Sequence, residues 1–518
     1  MDRIHQDMGR HTLEEMAAEL PQGLGVLRRL IEALDREGIR YLHWKSNEHL
    51  LEGMVGMTDL DVLFDRSAAL RIDRIFAEIG YRRFLATPFR GYPGLEDYLG
   101  FDESTGNLVH IHVHHQLRMG EKNAKGFWPP WEELFLSTRH VQRPEGMWAT
   151  HPDVEMIIFL LRAAMKARLR DAVLRMAGAD YMRGDLDREY DWLRARVDAA
   201  RVVDLTDRLL GPRAAATARE ILTVRPTLRS LMRFRRRSMT MLKHCRTHNP
   251  LVSRLRRWFR EAYGLRAAVG RRYTHPPRPM NRTVPAGGVM VAFIGSDGSG
   301  KSSVAGEIAH WLSWKVDTYK VYHGSGDGPS SFFRWPLRMA LRAMGAGGGR
   351  RPAAAAGGPV EGRRPASHRM ARRLRPVWAL VLSMEKRRKL KKAWRARSRG
   401  MIVVCDRYPQ NQVMGYNDGP LLAGWSDHRL GLLRALSRWE GWPYALAERY
   451  PPDLVVKMNV SPPVAVRRKP DMHEAEVVRR IETIRSLRFP ASRVAEIDAD
   501  QPLEHVVLEV KRHVWSVL

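Results

Sequence analysis

Two groups of residues in this chain have the types and spacing for chemistry. The first is Gly295-Ser296-Asp297-Gly298-Ser299-Gly300-Lys301-Ser302-Ser303, which contains a complete G-x-x-x-x-G-K-[ST] loop. Glycines at these positions let the backbone wrap so that its N–H groups point inward at phosphate oxygens. The N-terminus of a following helix adds partial positive charge. In such a loop Lys301 contacts the outer phosphates and the Ser302 hydroxyl sits on Mg²⁺. The motif therefore predicts a nucleoside triphosphate site. The second group is Asp59 and Asp61 in Thr58-Asp59-Leu60-Asp61-Val62-Leu63-Phe64. Two apart on a strand, their carboxylates share a face. Paired carboxylates of this kind can hold two Mg²⁺ ions against a triphosphate.

Two further stretches could complete these sites. Met401-Ile402-Val403-Val404-Cys405 runs into Asp406-Arg407-Tyr408. A buried strand that delivers an acid beside a phosphate loop places that acid, here Asp406, on Mg²⁺ directly or through water. Arg407 can fork onto a second phosphoryl group, as transfer between two anions requires them to be brought in line. In Leu108-Val109-His110-Ile111-His112-Val113-His114-His115, the histidines 110, 112 and 114 share one strand face. They either bind a transition metal or form a polar, half-buried wall.

These residues need elements to position them. Val289–Ile294 is an apolar strand emptying into the loop, and Val304–Trp314 has helical spacing, so the loop has the strand–turn–helix setting it requires. Residues 289–518 alternate strand and helix, with strands predicted at Met290–Ile294, Thr318–His323, Met401–Cys405, Leu454–Asn459 and Ala495–Ile497. That alternation implies a parallel sheet with crossover helices. Within it, Ala346–Pro365 is rich in glycine and alanine and predicts a disordered insert at about 346–365. Residues 1–150 mix both periods: strands at Ile39–His43, Asp59–Phe64 and Leu108–His114, helices at Leu24–Leu34 and Ala69–Ile79. Residues 151–270 read as helical and basic, with Val154, Ile157, Ile158, Leu161 and Met165 on one face. A Pro/Gly linker at 271–288 follows.

At 518 residues the chain has room for two or three domains. Lys and Arg number 87 against 57 Asp and Glu, a formal charge of +30, concentrated in Arg225–Arg282 and Arg363–Arg399. Such blocks suit an anionic membrane surface, and nucleic acid less, or they simply solvate helices. Cys245 and Cys405 are far apart, which excludes a disulfide framework. Met1–Arg10 is polar, and Val154–Leu161 and Val377–Met384 are too short to span a bilayer. The expected location is the cytoplasm, with the inner face of the membrane as the further option.

Residues 289–518 resemble the thymidylate kinase family of P-loop kinases. The resemblance rests on Gly295–Ser302, Asp406-Arg407-Tyr408, the stretch Pro452–Val460, Val464-Ala465-Val466-Arg467-Arg468-Lys469 and Ile497-Asp498-Ala499-Asp500. It implies an α/β fold with a parallel sheet flanked by helices, ATP and Mg²⁺ as cofactors, and a basic lid matching Arg467, Arg468 and Lys469. It also implies that Asp297 approaches the acceptor's sugar. Three departures stand out. Gly298 occupies a position where some members carry arginine, and His323-Gly324-Ser325-Gly326-Asp327-Gly328-Pro329 replaces an Arg-x-Pro-Gly stretch. Pro409–Tyr416 replaces the thymine-reading element. The resemblance thus implies a kinase without implying thymidylate.

Residues around 44–64 and 108–115 resemble the polymerase-β-like minimal nucleotidyltransferases, which implies an α+β domain. The family's Gly-Ser turn is Lys45-Ser46 here, and histidine stands where a third acid is expected. An active domain and a degenerate nucleotide- or sugar-binding one are both compatible with this pattern. Together the two resemblances imply an Mg²⁺/ATP-dependent phosphotransferase with Lys301, Asp406, Arg407, Arg467 and Arg468 as catalytic residues. Its acceptor would be a nucleoside monophosphate or a related phosphorylated or sugar compound. The alternatives are a nucleotide-gated scaffold and a nucleotidyltransferase, acting at a membrane surface as in polysaccharide assembly.

Overall fold

Alternation along Asp59–Phe64 sorts its side chains between two faces of a sheet. In the computed structural model, which describes residues 23–120, 124–142, 146–167, 184–273, 277–324, 366–415, 418–470 and 472–518, Leu60, Val62 and Phe64 enter one core. Asp59 and Asp61 lie on the other face, only partly buried. The stretches 346–365 and 325–329 lie outside the described residues. The chain divides into two compact units, Met1–Ala267 and Ala268–Leu518.

In the first unit, α1 (Gly25–Arg36), β1 (Tyr41–His43), β2 (Asp59–Phe64), α2 (Ala69–Ile79), β3 (Arg82–Ala86), β4 (Leu95–Phe101), β5 (Leu108–His114), β6 (His140–Gln142) and β7 (Met147–Ala149) follow one another. The strands are ordered β6-β7-β1-β2-β5-β4-β3. β2 and β5 run parallel, whereas β1 with β2 and β4 with β5 run antiparallel. Leu27 and Leu30 of α1 and Ile72, Ile75 and Phe76 of α2 cover one sheet face, packing on Leu60, Val62, Ile111 and Val113.

Helices α3 (Pro152–Lys166), α4 (Asp185–Arg194), α5 (Ala199–Leu210), α6 (Pro212–Val224) and α7 (Leu228–Leu242) form a second core. Pro152 at the first position and Asp153 and Glu155 in the first turn suit the start of α3. Its Met156, Ile157, Leu160 and Leu161 pack with Leu193, Val202, Ile221 and Phe234, and this core also takes Leu42 and Leu63 from the sheet. The helical region therefore shares a core with the strands before it. The long helix α8 (Pro250–Tyr273) ends the unit and carries its boundary.

The second unit holds β8 (Arg282–Thr283), β9 (Met290–Gly295), α9 (Lys301–Ser313), β10 (Thr318–Tyr322), α10 (Ala366–Arg397), β11 (Ile402–Asp406), α11 (Gly431–Arg449), β12 (Leu454–Asn459), α12 (Pro462–Arg468), α13 (Glu474–Ser486), β13 (Arg493–Asp498) and α14 (Leu503–Val517). Its five-stranded sheet is wholly parallel, ordered β10-β11-β9-β12-β13. Every residue of β9 is buried, the pattern of a strand covered on both faces. Met290, Ala292, Val403, Cys405 and Val455 pack with Leu390 and Ala393 of α10 and Ile484 of α13. This is the α/β architecture that the alternation predicts. From β9 the chain first builds to one side and later crosses to the other, so the crevice beyond the carboxyl end of β9 is where such sheets bind ligands. No helix among the described residues is long and apolar enough to cross a membrane.

Candidate active site

β9 delivers the chain into the glycine-rich loop, and α9 starts at Lys301 with Gly300 as its left-handed cap, φ +78°. Gly298 has φ +85°, and a Cβ there would lie 2.9 Å from the Ala465 carbonyl oxygen of α12. Left-handed backbone and this close approach both exclude a side chain. Lys301 is buried, and its Nζ donates to the Ser296 carbonyl at 2.9 Å. Burial, with Arg407 nearby, lowers Lys301 to about 8. The lysine thus lies across its own loop. Ser302 and Ser303 are exposed in the first turn of α9.

Asp406 ends β11, opposite Phe293 of β9. It is buried, and its Oδ1 has no hydrogen-bond partner among the described residues. A buried carboxylate oxygen without a donor calls for a cation. The Ser302 hydroxyl and the Asp406 carboxylate are hard oxygen donors, so these residues fit Mg²⁺.

Arg407 holds a left-handed backbone, φ +71°, which is uncommon for a residue with a Cβ. Its N–H donates to the Phe293 carbonyl at 3.0 Å. Its guanidinium reaches Asp297 Oδ1 at 2.9 Å and Asp418 Oδ2 at 3.4 Å. Arg480 of α13 takes the other oxygen of Asp297 and also bonds Glu476. Burial alone would raise the Asp297 carboxyl, but Lys301, Arg407 and Arg480 outweigh it and hold it well below the usual range. Asp297 thus gathers the cations of the site.

Arg480 escapes a reading of the sequence. Its only signal is the Glu476/Arg480 spacing on one helix face, indistinguishable from many other Glu/Arg pairs in an Arg-rich chain. Of the three basic residues expected to form a lid, Arg468 donates to the carbonyls of Ala499 at 2.9 Å and Gly298 at 3.4 Å, so it is pinned beside the loop. Arg467 and Lys469 are exposed.

A polar wall lies on the other side of Arg407. His323, just after β10, is buried, with neither ring nitrogen hydrogen-bonded among the described residues. Burial, then Lys389 and Lys386, lowers it to about 3. Lys386 donates to the Asp418 carbonyl at 2.8 Å and lies 3.2 Å from the Tyr444 hydroxyl.

The first unit has its own polar centre. Register places Asp59 beside His110 and Asp61 beside His112 on β5, and Asp97 of β4 beside His112 from the other side. His110 bonds Asp59 Oδ1 at 2.7 Å and Asp97 Oδ1 at 3.0 Å. Asp61 Oδ1 lies 3.2 Å from His112 Nδ1 and 2.9 Å from His114 Nε2, and Lys45 Nζ is 2.8 Å from Asp61 Oδ2. Burial opposes a charge on His112, but hydrogen bonds to Asp61 and Asp97 raise it to about 9; burial lowers His114 to about 4. Burial would raise Asp61, yet Lys45, His112 and His114 hold it well below its usual value. The structure thus supplies a third acid, Asp97, on a strand the sequence pattern does not reveal. Ser46 adopts φ +57° in the turn where glycine is absent, and the Asn47 N–H after it is held by Glu155 Oε1 at 2.9 Å.

No protein-family profile matches the chain. It is 27% identical over 242 residues to a protein of Escherichia coli strain K12 named uncharacterized ATP-binding protein YghR, covering 44% of this chain and 87% of that one. It is 27% identical over 236 residues to the similarly named YghS of the same strain, covering 44% of this chain and 93% of YghS. Among solved structures, deoxyadenosine kinase from M. mycoides with bound dCTP aligns at 12% identity and a TM-score of 0.25, over 44% of this chain and 99% of that one.

Proposed function

We propose that the chain is an Mg²⁺/ATP-dependent phosphotransferase acting on a small phosphorylated acceptor, a nucleoside monophosphate or a sugar-type phosphate. The observation that carries this reading is the convergence on one loop of Lys301, Arg407 and Arg480 around Asp297, with the unpartnered Asp406 oxygen at the end of the next strand. The ATP-binding names of YghR and YghS support the donor. The loop N–H groups and the start of α9 hold the donor phosphates, and Lys301 exchanges the Ser296 carbonyl for a phosphate oxygen. Ser302 and Asp406 would hold Mg²⁺, which supplies charge neutralisation. Arg407 and Arg480 are preorganised by Asp297, so transition-state charge meets fixed cations with little reorganisation. The acceptor lies toward the neutral ring of His323, unbonded among the described residues, and the Lys386 amine, which can hydrogen-bond an acceptor but offer nothing specific to thymine.

The test is ADP formation by the full chain with ATP, Mg²⁺ and a panel of nucleoside monophosphates and sugar phosphates. Acceptor-dependent ADP is expected, and Lys301→Ala should lower kcat by about 10²-fold or more. Failure to bind ATP, or no turnover with any acceptor, rejects the reading.

A second observation favours the membrane setting, and we propose that an anionic bilayer surface is the partner of α8. Trp258 and Phe259 are each 62% exposed, and Leu251, Leu255 and Leu265 are exposed beside them on the same side of the helix. Arg254 and Arg266, both exposed, border this face by helical spacing, whereas Arg260 on the far side donates to the Gly91 carbonyl at 3.0 Å. An apolar face with arginine flanks is the pattern of a helix lying in a lipid interface, and the positive charge complements anionic headgroups. Co-sedimentation of the full chain with phosphatidylserine-containing vesicles, weakened by salt, is expected. Trp258→Glu with Phe259→Glu should abolish it. Equal binding to neutral vesicles, or none, sinks the proposal.

A further inference from the structure

We propose that β2, β4 and β5 build a site for a first-row transition-metal dication, best fitted by Zn²⁺, with Asp61, His112 and His114 as ligands. The site is independent of the kinase reading. Asp61 Oδ1 lies 3.2 Å from His112 Nδ1 and 2.9 Å from His114 Nε2, and the three groups offer donor atoms all within 4.8 Å of one another. A tetrahedral zinc bound at about 2.0–2.1 Å sets its donors about 3.3 Å apart. Both carboxylate–imidazole pairs therefore stand near that spacing already. Two imidazoles and one carboxylate, with a fourth position for water or a ligand oxygen, are a zinc-type set. Mg²⁺ prefers oxygen donors and keeps its waters, so it fits these nitrogens poorly.

The surroundings orient the ligands. Asp97 Oδ1 lies 3.2 Å from His112 Nε2, so that nitrogen donates to Asp97 and leaves Nδ1 turned to Asp61. A carboxylate behind a ligating histidine fixes its tautomer and raises its basicity. His110 bridges Asp97 and Asp59 and holds Asp97 in place. Lys45 neutralises the second Asp61 oxygen, 2.8 Å away. His114 is buried, its Nδ1 has no hydrogen-bond partner among the described residues, and its ring meets Trp44 edge to face with centroids 5.3 Å apart. Its ring is tied to the site through Nε2, the atom that faces Asp61.

The experiment uses the full chain without a histidine tag, stripped with a chelator and titrated with Zn²⁺ by calorimetry, with millimolar Mg²⁺ as competitor. One zinc per chain, not displaced by Mg²⁺, is expected. His112→Gln with His114→Gln should abolish it, and Asp97→Asn, a positioning change, should weaken it about 10–100-fold. Lys301→Ala should leave it unchanged. X-ray absorption at the zinc edge on the unmutated chain should show two imidazoles, which decides the matter even if the double variant fails to fold. Sub-stoichiometric zinc, displacement by Mg²⁺, or a spectrum without imidazole overturns the proposal and leaves a polar wall of paired acids and histidines.

Discussion

At the scale of single residues, Asp297 is the pivot of the proposed phosphate site. It is buried among Lys301, Arg407 and Arg480, and removing one member of such a group leaves the others uncompensated. Asp297→Asn should destabilise the ligand-free chain by about 3 kcal/mol, measured as urea unfolding of the second unit. A change within error would show that solvent already screens these charges. Glu155 makes a different prediction. Burial raises it to about 8 from an ordinary 4.5, against its hydrogen bonds to Asn47, with Glu189 and Glu48 adding to the rise. The folded chain keeps a proton that the unfolded chain loses above about pH 4.5. This group's contribution is therefore fully present below that pH and falls until about pH 8, where it levels off. Glu155→Gln should flatten that fall in a stability-versus-pH series, and an identical slope in both proteins would refute the assignment. Lys301, Asp406 and Arg407 are legible in the sequence because a contiguous motif or a strand end carries each one. Arg480, His323 and Asp97 are not, because each reaches its site through sheet register or a helix face, which one dimension does not record.

At the scale of elements, the strands that read clearly are those whose burial is simple. β9 and β11 are buried throughout, and β2 and β5 alternate their apolar and polar faces. β4 is harder to read. Asp97 is buried in it against His110 and His112 of the next strand, and Gly100 sits beneath the Tyr81 ring, where a Cβ would come within 2.5 Å. Neither periodicity nor composition marks such a strand, so the third carboxylate goes unseen with it. The loop–helix pair is more predictable. Gly298 combines φ +85° with contact to α12. Gly298→Ala should lower stability by about 1–2 kcal/mol for the left-handed backbone alone. It should weaken ATP binding as α12 shifts, read as a higher Kd by calorimetry. Unchanged affinity would mean that α12 does not support the loop.

At the scale of the whole molecule, the sequence pattern separates a mixed region from a helical one, whereas the structure gives strands and helices of the first unit a shared core through Leu42 and Leu63. Periodicity marks elements but not which core they join. If the two units carry separate chemistry, His112→Gln with His114→Gln should leave ATP turnover within about twofold of the parent protein, as surface-distant changes usually add. A large loss of turnover would mean that the proposed metal site serves the proposed phosphotransfer. The strand order of the second unit has a further consequence, for synthesis on the ribosome. β9 pairs only with β11 and β12, never with its successor β10. The chain through residue 401 must be made before β9 meets its first partner. At roughly 5–20 residues per second, this most apolar strand waits roughly 5–20 s with both edges open. The nascent chain at that stage is a natural client for a chaperone that binds short apolar segments, and slowing translation between β10 and β11 should raise aggregation of this protein.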